Sequence, residues 1–476
     1  MPRNNKSRTP QPVNMGSNIL IVALTLCSVA SSWGWREGSV VSEELFAAAN
    51  PDAYLTAHEC EVFSPGKSVI VLLQPELIAK KGYPAETHTV TTEDGYILTM
   101  HRIPYGKSGP SNNRPAVFVQ HGLLCSSAAW VIMEPEKSLD VLALVATALI
   151  PTGQEAPSLP LSADVSLLVI LEECSLVATS GQSPEGSLES GNTRGSTYSK
   201  EHVSLKSTDN EFWDFSWHES GVYDLPAMID YVLSRTSQSN LFYIGHSMGT
   251  TMFYVMASMR PEYNAKIRAQ FSLAPVAFMS NLKSPVIRLM ATFEDTLEIL
   301  MKMVGMHEFL PNSEFLTLVG GVFCNDDAIT QKLCDNILFL LCGYDQDQLN
   351  TTALPVLLGH IPAGASTNQM VHYAQGVNSA KFRQFSYGLI KNLATYGSLT
   401  PPDYDLSKIT APVYLHWSDN DWMADPKDVQ ELNGKLPNVK GSIRVPYAAF
   451  NHLDYMWAID GKTLLYDTVL ENMKKY

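Results

Sequence analysis

The chain has 476 residues, 45% of them hydrophobic and 17% charged, which is enough apolar material for a large buried core. Its 33 lysines and arginines face 48 aspartates and glutamates, so the formal net charge is −15. This acidic balance argues against a partner bound through phosphates, and we expect no nucleic-acid partner. The length could hold two or three average domains, and we expect one large domain with an insertion.

The N-terminus has the pattern of a signal peptide. Three basic residues among the first eight precede an apolar run from Ile19 to Val29, and a small-x-small cleavage site ends at Ala30. The apolar run is too short to span a bilayer comfortably. We therefore predict that residues 1–30 are removed, that the chain is secreted or routed to a luminal compartment, and that no integral membrane segment remains.

Six cysteines lie beyond the signal, at Cys60, Cys125, Cys174, Cys324, Cys334 and Cys342. In an oxidising compartment the close spacing favours a disulfide between Cys324 and Cys334, and the pairing of the others stays open. Zinc is the alternative for this cluster, but no histidine lies at ligand spacing beside it, so we expect no metal. Asn350 begins an N-x-T sequon that we expect to be glycosylated.

Along the chain, Thr89–Thr92 and Tyr96–His101 alternate around a Glu-Asp-Gly turn, which predicts a β-hairpin because the D-G pair supplies the positive φ of a tight turn. The apolar run Pro115–Leu124 predicts a buried strand that ends in a turn at His121-Gly122. Such a turn at the carboxyl end of a strand is where a doubly wound sheet binds its ligand.

The next segment is unlike its surroundings. No Phe, Tyr or Trp occurs between Val131 and Thr197, and no Lys or Arg between Ser138 and Thr193. The tail of this segment, Thr179–Asn192, is rich in Ser, Gly and Glu and predicts a disordered linker. We treat residues 140–190 as an anomalous segment.

A nucleophile elbow is predicted after the helical pattern of Tyr223–Arg235. The apolar run Asn240–Ile244 predicts a buried strand, which meets Gly-His-Ser247-Met-Gly and then a helical stretch at Thr250–Met259. A strand that turns abruptly into a helix and exposes a serine Oγ needs glycines two residues before and after that serine. The alternative interpretation is a glycine-rich turn with an inert serine.

The remaining chain continues the α/β pattern. Residues 281–406 are mostly helical in pattern, and we interpret them as a cap inserted between two parts of the core, 57–280 and 407–476. Strands are predicted at Ala269–Ala274, Pro412–Trp417 and Gly441–Val445, and a closing helix at Asp460–Lys475. Apolar cap residues favour a lipid-shaped pocket, although the inside of any helical cap has a similar composition: Met290, Leu300, Met301, Met303, Val304, Met306, Phe309 and Leu310.

A serine hydroxyl needs a base to take its proton and a third group to orient that base. The loop after the Pro412–Trp417 strand offers Asp419, Asp421 and Asp425, and the loop after the following strand offers His452. We predict His452 as the general base and Asp421 as the orienting carboxylate, although position alone separates Asp421 weakly from its neighbours.

The oxyanion of a tetrahedral intermediate needs two backbone donors. The residue after the nucleophile, Met248, is predicted to supply one, and Leu123 in the turn after His121-Gly122 is predicted to supply the other. Because both donors are main-chain N–H groups, these side chains are free to be apolar.

Short motifs recur in order across Ala57–Tyr476: Glu76–Pro84, Thr92–Leu98, Arg102–Gly106, Gln120–Leu124, Glu211–Trp217, Tyr223–Pro226, Gly245–Gly249, Asp421 with Ala424–Pro426, and Asn451–Asp454. In these stretches the chain resembles the acid lipase family of gastric, lingual and lysosomal lipases and their insect relatives. The resemblance implies an α/β-hydrolase fold, with a mostly parallel doubly wound sheet and an inserted helical cap or lid. It also implies hydrolysis of triacylglycerols or sterol esters at a lipid–water interface without a cofactor.

The resemblance also carries residue roles. It implies a triad of Ser247, Asp421 and His452, selecting Asp421 through the family's D-x-x-A-D-P pattern, and oxyanion donors at Leu123 and Met248. Met248 stands where many members have glutamine, which a backbone role tolerates. It further implies the Cys324–Cys334 disulfide and a free thiol at Cys342.

The family has a central sheet strand where this chain has Asp140–Ser190. Either Val165–Leu171 supplies a substitute strand or the segment is a wrongly predicted exon, and we favour the second. Two rival functions follow: a phospholipase or carboxylesterase for less apolar esters, or a catalytically silent lipid-binding protein. The sequence leaves open the acyl preference, the oligomeric state and whether the product is secreted or lysosomal.

Overall fold

The computed structural model describes residues 60–64, 67–107, 109–110, 114–137, 139, 187–293, 307–310 and 338–476. Its strands are β1 (Cys60–Ser64), β2 (Lys67–Val71), β3 (Glu86–Thr91), β4 (Tyr96–Ile103), β5 (Val117–Gln120), β6 (Leu188–Gly191), β7 (Glu201–His202), β8 (Leu241–His246), β9 (Ile267–Leu273), β10 (Glu308–Phe309), β11 (Ala365–Ser366), β12 (Val413–Trp417) and β13 (Val439–Arg444).

Its α-helices are α1 (Gln74–Lys80), α2 (Trp217–Glu219), α3 (Leu225–Thr236), α4 (Met248–Met259), α5 (Pro285–Thr292), α6 (Leu354–His360), α7 (Thr367–Ser379), α8 (Leu389–Tyr396), α9 (Pro426–Lys435), α10 (Asp454–Trp457) and α11 (Asp467–Met473). Single π turns at Ser220–Asp224 and Lys462–Tyr466 lead into α3 and α11. The predicted closing helix therefore consists of a π turn followed by the α-helix α11. None of the described helices is long and apolar enough to cross a membrane.

Nine of the described strands form one sheet, in the spatial order β13, β12, β9, β8, β5, β6, β4, β3, with β7 beside the start of β4. Neighbouring strands from β6 to β13 are parallel, whereas β4 is antiparallel to both β3 and β6. Strands β5 and β8 are buried along their whole length, as expected in the middle of a parallel sheet covered on both faces. The predicted α/β class with a mostly parallel sheet is confirmed.

The predicted hairpin is formed by β3 and β4, which pair across the turn at Glu93-Asp94-Gly95. Gly95 has φ of +98°, and a Cβ atom there would lie 2.7 Å from Nε2 of His202. The turn therefore requires glycine for both its backbone conformation and its packing.

The interpretation of Thr179–Asn192 as a disordered linker is wrong for its last residues. Leu188–Gly191 form β6, parallel to β5 and antiparallel to β4, and their side chains are buried. Ser, Gly and Glu have low strand propensity, but two ladders hold this backbone extended, so tertiary context overrides the local preference. The alternative substitute strand, Val165–Leu171, lies outside the described residues.

Strand β6 buries a carboxyl group. Oε1 of Glu189 accepts from Oγ of Ser187 at 2.9 Å and lies 3.0 Å from Nε of Arg102 on β4. Burial raises the pKa of Glu189 to about 7, against the opposing attraction of Arg102. The strand that fills the centre of the sheet thus contains an ionisable group.

Just after β6, Arg194 is buried and connects three parts of the core. Its guanidinium contacts Asp224 at 2.7 Å and Asp94 at 2.6 Å, and lies 4.0 Å from the ring of Tyr96. Asp94 belongs to the hairpin turn and Asp224 to the π turn before α3. This network fixes the chain that leaves β6 against both elements, because removing one partner would leave a buried charge unpaired.

The parallel strands bring four loops to one edge of the sheet. The chain leaves β5 at His121, β8 at Ser247, β12 before Asp421 and β13 before His452. In the ladder between β5 and β8, Gln120 is opposite Gly245, so the turn after β5 lies beside the turn after β8. Residues far apart in the sequence therefore meet at this edge.

Candidate active site

The strand, turn and helix predicted around Ser247 are present: β8 ends at His246 and α4 begins at Met248. Ser247 has φ of 51° and ψ of −116°, a conformation that residues with side chains rarely adopt. A Cβ atom on Gly245 would lie 2.8 Å from the carbonyl of Gly249, and one on Gly249 would lie 2.4 Å from the carbonyl oxygen of Gln120. Both positions therefore require glycine.

Ser247, His452 and Asp421 form one hydrogen-bonded chain. Oγ of Ser247 lies 2.8 Å from Nε2 of His452, and Nδ1 of His452 lies 2.9 Å from each carboxylate oxygen of Asp421. A carboxylate can only accept, so Nδ1 carries the hydrogen and Nε2 is left to accept the serine proton. All three side chains are buried.

Asp421 is held in its ionised form. Burial opposes the charge, but the interaction with His452 and the N–H groups of Ala424 and Met423, which donate to Oδ1 at 2.8 and 2.9 Å, outweigh it. The pKa of Asp421 is therefore lowered from its ordinary value. A fixed negative charge behind the imidazole is what orients a general base.

The other two candidate carboxylates have different partners. Asp419 is paired with the guanidinium of Arg444 near the surface. Asp425 accepts from the N–H of Lys427 at the start of α9 and lies 2.8 Å from Nζ of Lys283. The structure therefore brings Asp421, and neither neighbour, to His452.

The turn after β5 lies against Ser247, the predicted nucleophile. A Cβ atom on Gly122 would lie 3.0 Å from Cβ of Ser247. Among the described residues, the N–H groups of Leu123 and Met248 have no hydrogen-bond acceptor. One of these amides follows Ser247 directly and the other belongs to the turn that lies against it, which is the arrangement that the predicted oxyanion hole requires.

Several residues that sequence reasoning did not single out hold the His452 loop. His246 contacts the backbone oxygen of His452 at 3.0 Å, and the N–H of His452 donates to the carbonyl of Cys342 at 3.2 Å. Asp454 accepts from the N–H of Asn451 at 2.6 Å. His246 lies inside the Gly245–Gly249 motif and Asp454 inside the Asn451–Asp454 motif. The spacing of residues in these motifs does not predict the contacts that the two side chains make.

The remaining predicted site residues are less fully described. Cys324 and Cys334 lie outside the described residues, so their disulfide stays a prediction. Cys342 is a buried free thiol, as is Cys125. Asn350 is half-buried, and its side chain accepts from the N–H of Ala353 at 3.2 Å. No group of three His, Cys, Asp or Glu side chains among the described residues is placed to hold a metal ion.

Similarity to known proteins agrees with this geometry. Residues 74–134 match the family described as a partial alpha/beta-hydrolase lipase region, and residues 190–458 match the alpha/beta hydrolase fold. The chain is 41% identical to Lipase 3 of Drosophila melanogaster, over 84% of this chain and 92% of that protein. It is 35% identical to gastric triacylglycerol lipase of Rattus norvegicus, over 86% and 93%. It is 34% identical to lysosomal acid lipase/cholesteryl ester hydrolase of Homo sapiens, over 84% and 90%. The chain belongs to the acid lipase family.

As an acid lipase of the α/β-hydrolase fold, the chain is an ester hydrolase, and the resemblance seen in its motifs is confirmed. The two family matches end at residue 134 and resume at residue 190. The anomalous segment falls almost entirely between them, and the second match begins within β6. The match to the alpha/beta hydrolase fold therefore begins where the described part of the sheet resumes.

Proposed function

We propose that this acid lipase hydrolyses the carboxylic ester bonds of neutral lipids, triacylglycerols and sterol esters, through Ser247, His452 and Asp421. The observation that carries the proposal is the continuous hydrogen-bonded chain from Oγ of Ser247 to the carboxylate of Asp421, beside two amides that have no acceptor in the described part of the chain. An inert serine in a glycine-rich turn needs neither feature.

The reaction follows from these contacts. Oγ of Ser247 attacks the ester carbonyl carbon while its proton passes to Nε2 of His452, and the resulting imidazolium is stabilised by Asp421. The imidazolium then gives the proton to the leaving alkoxide oxygen, which leaves an acyl-enzyme. Water, losing a proton to His452, attacks the acyl carbonyl, and the fatty acid departs as Ser247 regains its hydrogen. The N–H groups of Leu123 and Met248 stabilise the oxyanion in both steps.

The substrate class rests on the relatives and on the composition of the cap. Two relatives carry the names gastric triacylglycerol lipase and lysosomal acid lipase/cholesteryl ester hydrolase. The proposed cap, residues 281–406, is rich in apolar residues, although Leu300, Met301, Met303, Val304 and Met306 lie outside the described residues. We infer from this composition that the lipid ester enters at a lipid–water interface. A secreted or lysosomal location, a glycan on Asn350 and a Cys324–Cys334 disulfide accompany this proposal.

The test is hydrolysis of an emulsified long-chain triacylglycerol by the expressed full-length chain. Ser247→Ala removes the proposed nucleophile. Ser258→Ala is a matched control, because Ser258 is a buried serine on α4, the helix that follows Ser247, and donates to the carbonyl of Val255. We expect activity in the wild type and in Ser258→Ala, and none in Ser247→Ala. Equal activity in Ser247→Ala would contradict the proposed nucleophile.

Substrate preference separates the rival functions. Faster hydrolysis of emulsified triacylglycerol than of soluble short-chain esters or phospholipid vesicles is expected for a neutral lipase. The reverse order would identify a carboxylesterase or a phospholipase. Lipid binding without any hydrolysis would leave the chain as a catalytically silent binding protein.

A further inference from the structure

His121 lies between β5 and the turn that carries Leu123, and its ring is 1% exposed. Its Nδ1 lies 2.8 Å from the carbonyl oxygen of Gly122, and its Nε2 lies 3.2 Å from the backbone nitrogen of Thr193. One ring nitrogen therefore contacts the turn itself, and the other contacts the chain that leaves β6.

These two partners determine which nitrogen of His121 carries the hydrogen. A peptide N–H only donates, so Nε2 accepts from Thr193 and is unprotonated. A carbonyl oxygen only accepts, so Nδ1 carries the hydrogen and donates to Gly122. Burial lowers the pKa of His121 to about 4, which keeps the ring neutral above that pH.

The contact with Gly122 acts on Leu123 because the two residues share a peptide group. In a trans peptide the C=O and the N–H point in opposite directions within one plane. The oxygen of Gly122 is held by Nδ1–H of His121 and by the N–H of Cys125 at 3.3 Å. Fixing this oxygen therefore fixes the direction of the Leu123 N–H, which has no acceptor among the described residues.

The turn is held separately at its other end. Leu124 has φ of 59°, a left-handed conformation that costs free energy for a residue with a side chain. Its carbonyl accepts from the N–H of Ala363 at 2.7 Å. Leu123 thus lies between two carbonyl groups that are held by hydrogen bonds, those of Gly122 and Leu124. The bond to Gly122 comes partly from the His121 side chain, which a substitution can change.

We propose that His121 is a positioning residue for ester hydrolysis, whose Nδ1–H holds the Gly122 carbonyl and thereby aims the Leu123 amide at the oxyanion before substrate binds. This inference rests on the proposed role of Leu123 as an oxyanion donor. An N–H group that already points at the oxyanion position does not have to reorient when negative charge develops on the ester oxygen in the transition state. This preorganisation is how such a donor accelerates the reaction. The two hydrogen bonds of the His121 ring go to Gly122 and Thr193, so its proposed effect is exerted through the turn.

Two substitutions separate the two contacts of the ring. In His121→Asn the amide nitrogen occupies the place of Nδ1, since both atoms are bonded to Cγ, and the donor to Gly122 is kept. In His121→Gln the side chain reaches the place of Nε2, so the acceptor for Thr193 is kept and the donor to Gly122 is lost. His416→Gln is the matched control, because His416 is a buried histidine on β12 whose ring nitrogens have no hydrogen-bond partner in the described part of the chain.

The measurements are kcat and KM on a soluble short-chain nitrophenyl ester and inhibition by an alkyl boronic acid, which forms a tetrahedral adduct with serine. Loss of one oxyanion donor costs about 100-fold in kcat. We expect that loss in His121→Gln, with KM unchanged and boronate affinity reduced in parallel. We expect kcat of His121→Asn to remain within about tenfold of the wild-type value. We expect kcat of His416→Gln, per folded molecule, to equal the wild-type value. Equal activity of the Gln and Asn variants, or a loss confined to KM, would overturn the proposal.

A measurement on the unchanged protein covers the case in which a variant does not fold. The ¹⁵N shifts of the histidine rings distinguish the two neutral tautomers, and His121 must have its hydrogen on Nδ1 at pH 6. An Nε2–H tautomer or a charged ring would contradict the inference.

The variants also distinguish failure of this inference from failure of the proposed function. If Ser247→Ala hydrolyses the ester like the wild type, the proposed function fails. If Ser247→Ala is silent while the Gln and Asn variants match the wild type, the inference about His121 alone fails.

Discussion

Nε2 of His246 lies 3.0 Å from the backbone oxygen of His452, and because a carbonyl only accepts, Nε2 is the donor. The residue before the nucleophile thus holds the loop that carries the proposed base. Burial, with a smaller effect of His452, lowers the pKa of His246 to about 3, so its ring is neutral. The loops that carry Ser247 and His452 are therefore joined by a contact that does not involve the side chains of the proposed triad.

Replacing His246 with leucine removes this hydrogen bond, which is worth about 1 kcal/mol. If that free energy is lost from the transition state, kcat falls about fivefold. His246→Gln can place a donor near Nε2 and should stay within about threefold of the wild type. The readout is hydrolysis of emulsified triacylglycerol. Equal losses in the two variants would show that the shape of the ring matters and the hydrogen bond does not.

Asp421→Asn should lower kcat by about four orders of magnitude, because an amide can donate to Nδ1 and favour the wrong tautomer of His452. The matched control is Asp419→Asn, which changes a neighbouring carboxylate that pairs with Arg444 near the surface. We expect the control to keep nearly full activity. Loss of activity in Asp419→Asn with survival in Asp421→Asn would reverse the assignment.

A buried carboxyl pair predicts how stability depends on pH. Asp454 and Asp345 are both buried, and their carboxyl groups lie within hydrogen-bonding range of each other, so one proton can be shared between them. Burial raises the pKa of both groups, and repulsion from Asp345 adds to the rise at Asp454. The folded chain therefore keeps a proton that the unfolded chain releases above about pH 4.

Because the pair keeps a proton in the folded state, its own contribution to the free energy of unfolding falls as pH rises from about 4 through its raised pKa. Buried histidines such as His121 and His246, whose pKa values are lowered, act in the opposite direction below about pH 6.5, so the pair is isolated by comparing variants. We expect the change in Tm from pH 5 to pH 8 to be more positive in Asp454→Asn than in the wild type, and Asp460→Asn, at an exposed carboxylate, to match the wild type. The same pH dependence of Tm in Asp454→Asn and in the wild type would contradict this prediction.

The placement of β6 is tested at Gly191. A Cβ atom there would lie 2.7 Å from Sδ of Met228 and from Cζ of Phe118, so Gly191→Ala should destabilise the chain by about 1–3 kcal/mol through overpacking. Gly434 on α9 has open space around it, and Gly434→Ala should stabilise by about 0.5–1 kcal/mol. Urea unfolding measures both. A harmless Gly191→Ala would mean that Leu188–Gly191 do not occupy the centre of the sheet.

The elbow could be predicted because its requirements are local. Gly245, Ser247 and Gly249 lie within five residues, and the strand before them and the helix after them have clear patterns. The choice among Asp419, Asp421 and Asp425 could not be made by position, because it depends on contacts with Arg444, Lys283 and His452 from other parts of the chain. Only the family motif distinguished them beforehand.

The sequence predicted neither strand β6 nor the hydrogen bonds of His121 to Gly122 and Thr193, and the two omissions have related causes. Glu189, Ser190 and Gly191 are poor strand formers, and their extended conformation comes from the ladders with β4 and β5. The contact of His121 with Thr193 in turn depends on β6 being in place. A sequence pattern gives no information on pairing between segments so distant.

This distance has a consequence for the order of folding. Strand β8 and helix α4 are adjacent in the chain, whereas β5 pairs Val117 with Leu188 across a long loop whose closure costs entropy. We expect the nucleophile elbow to form early and the β5–β6 ladder late. During refolding, Ser247 would then reach its final conformation before Thr193 is available to His121, and esterase activity would appear only when the last central strand has joined the sheet.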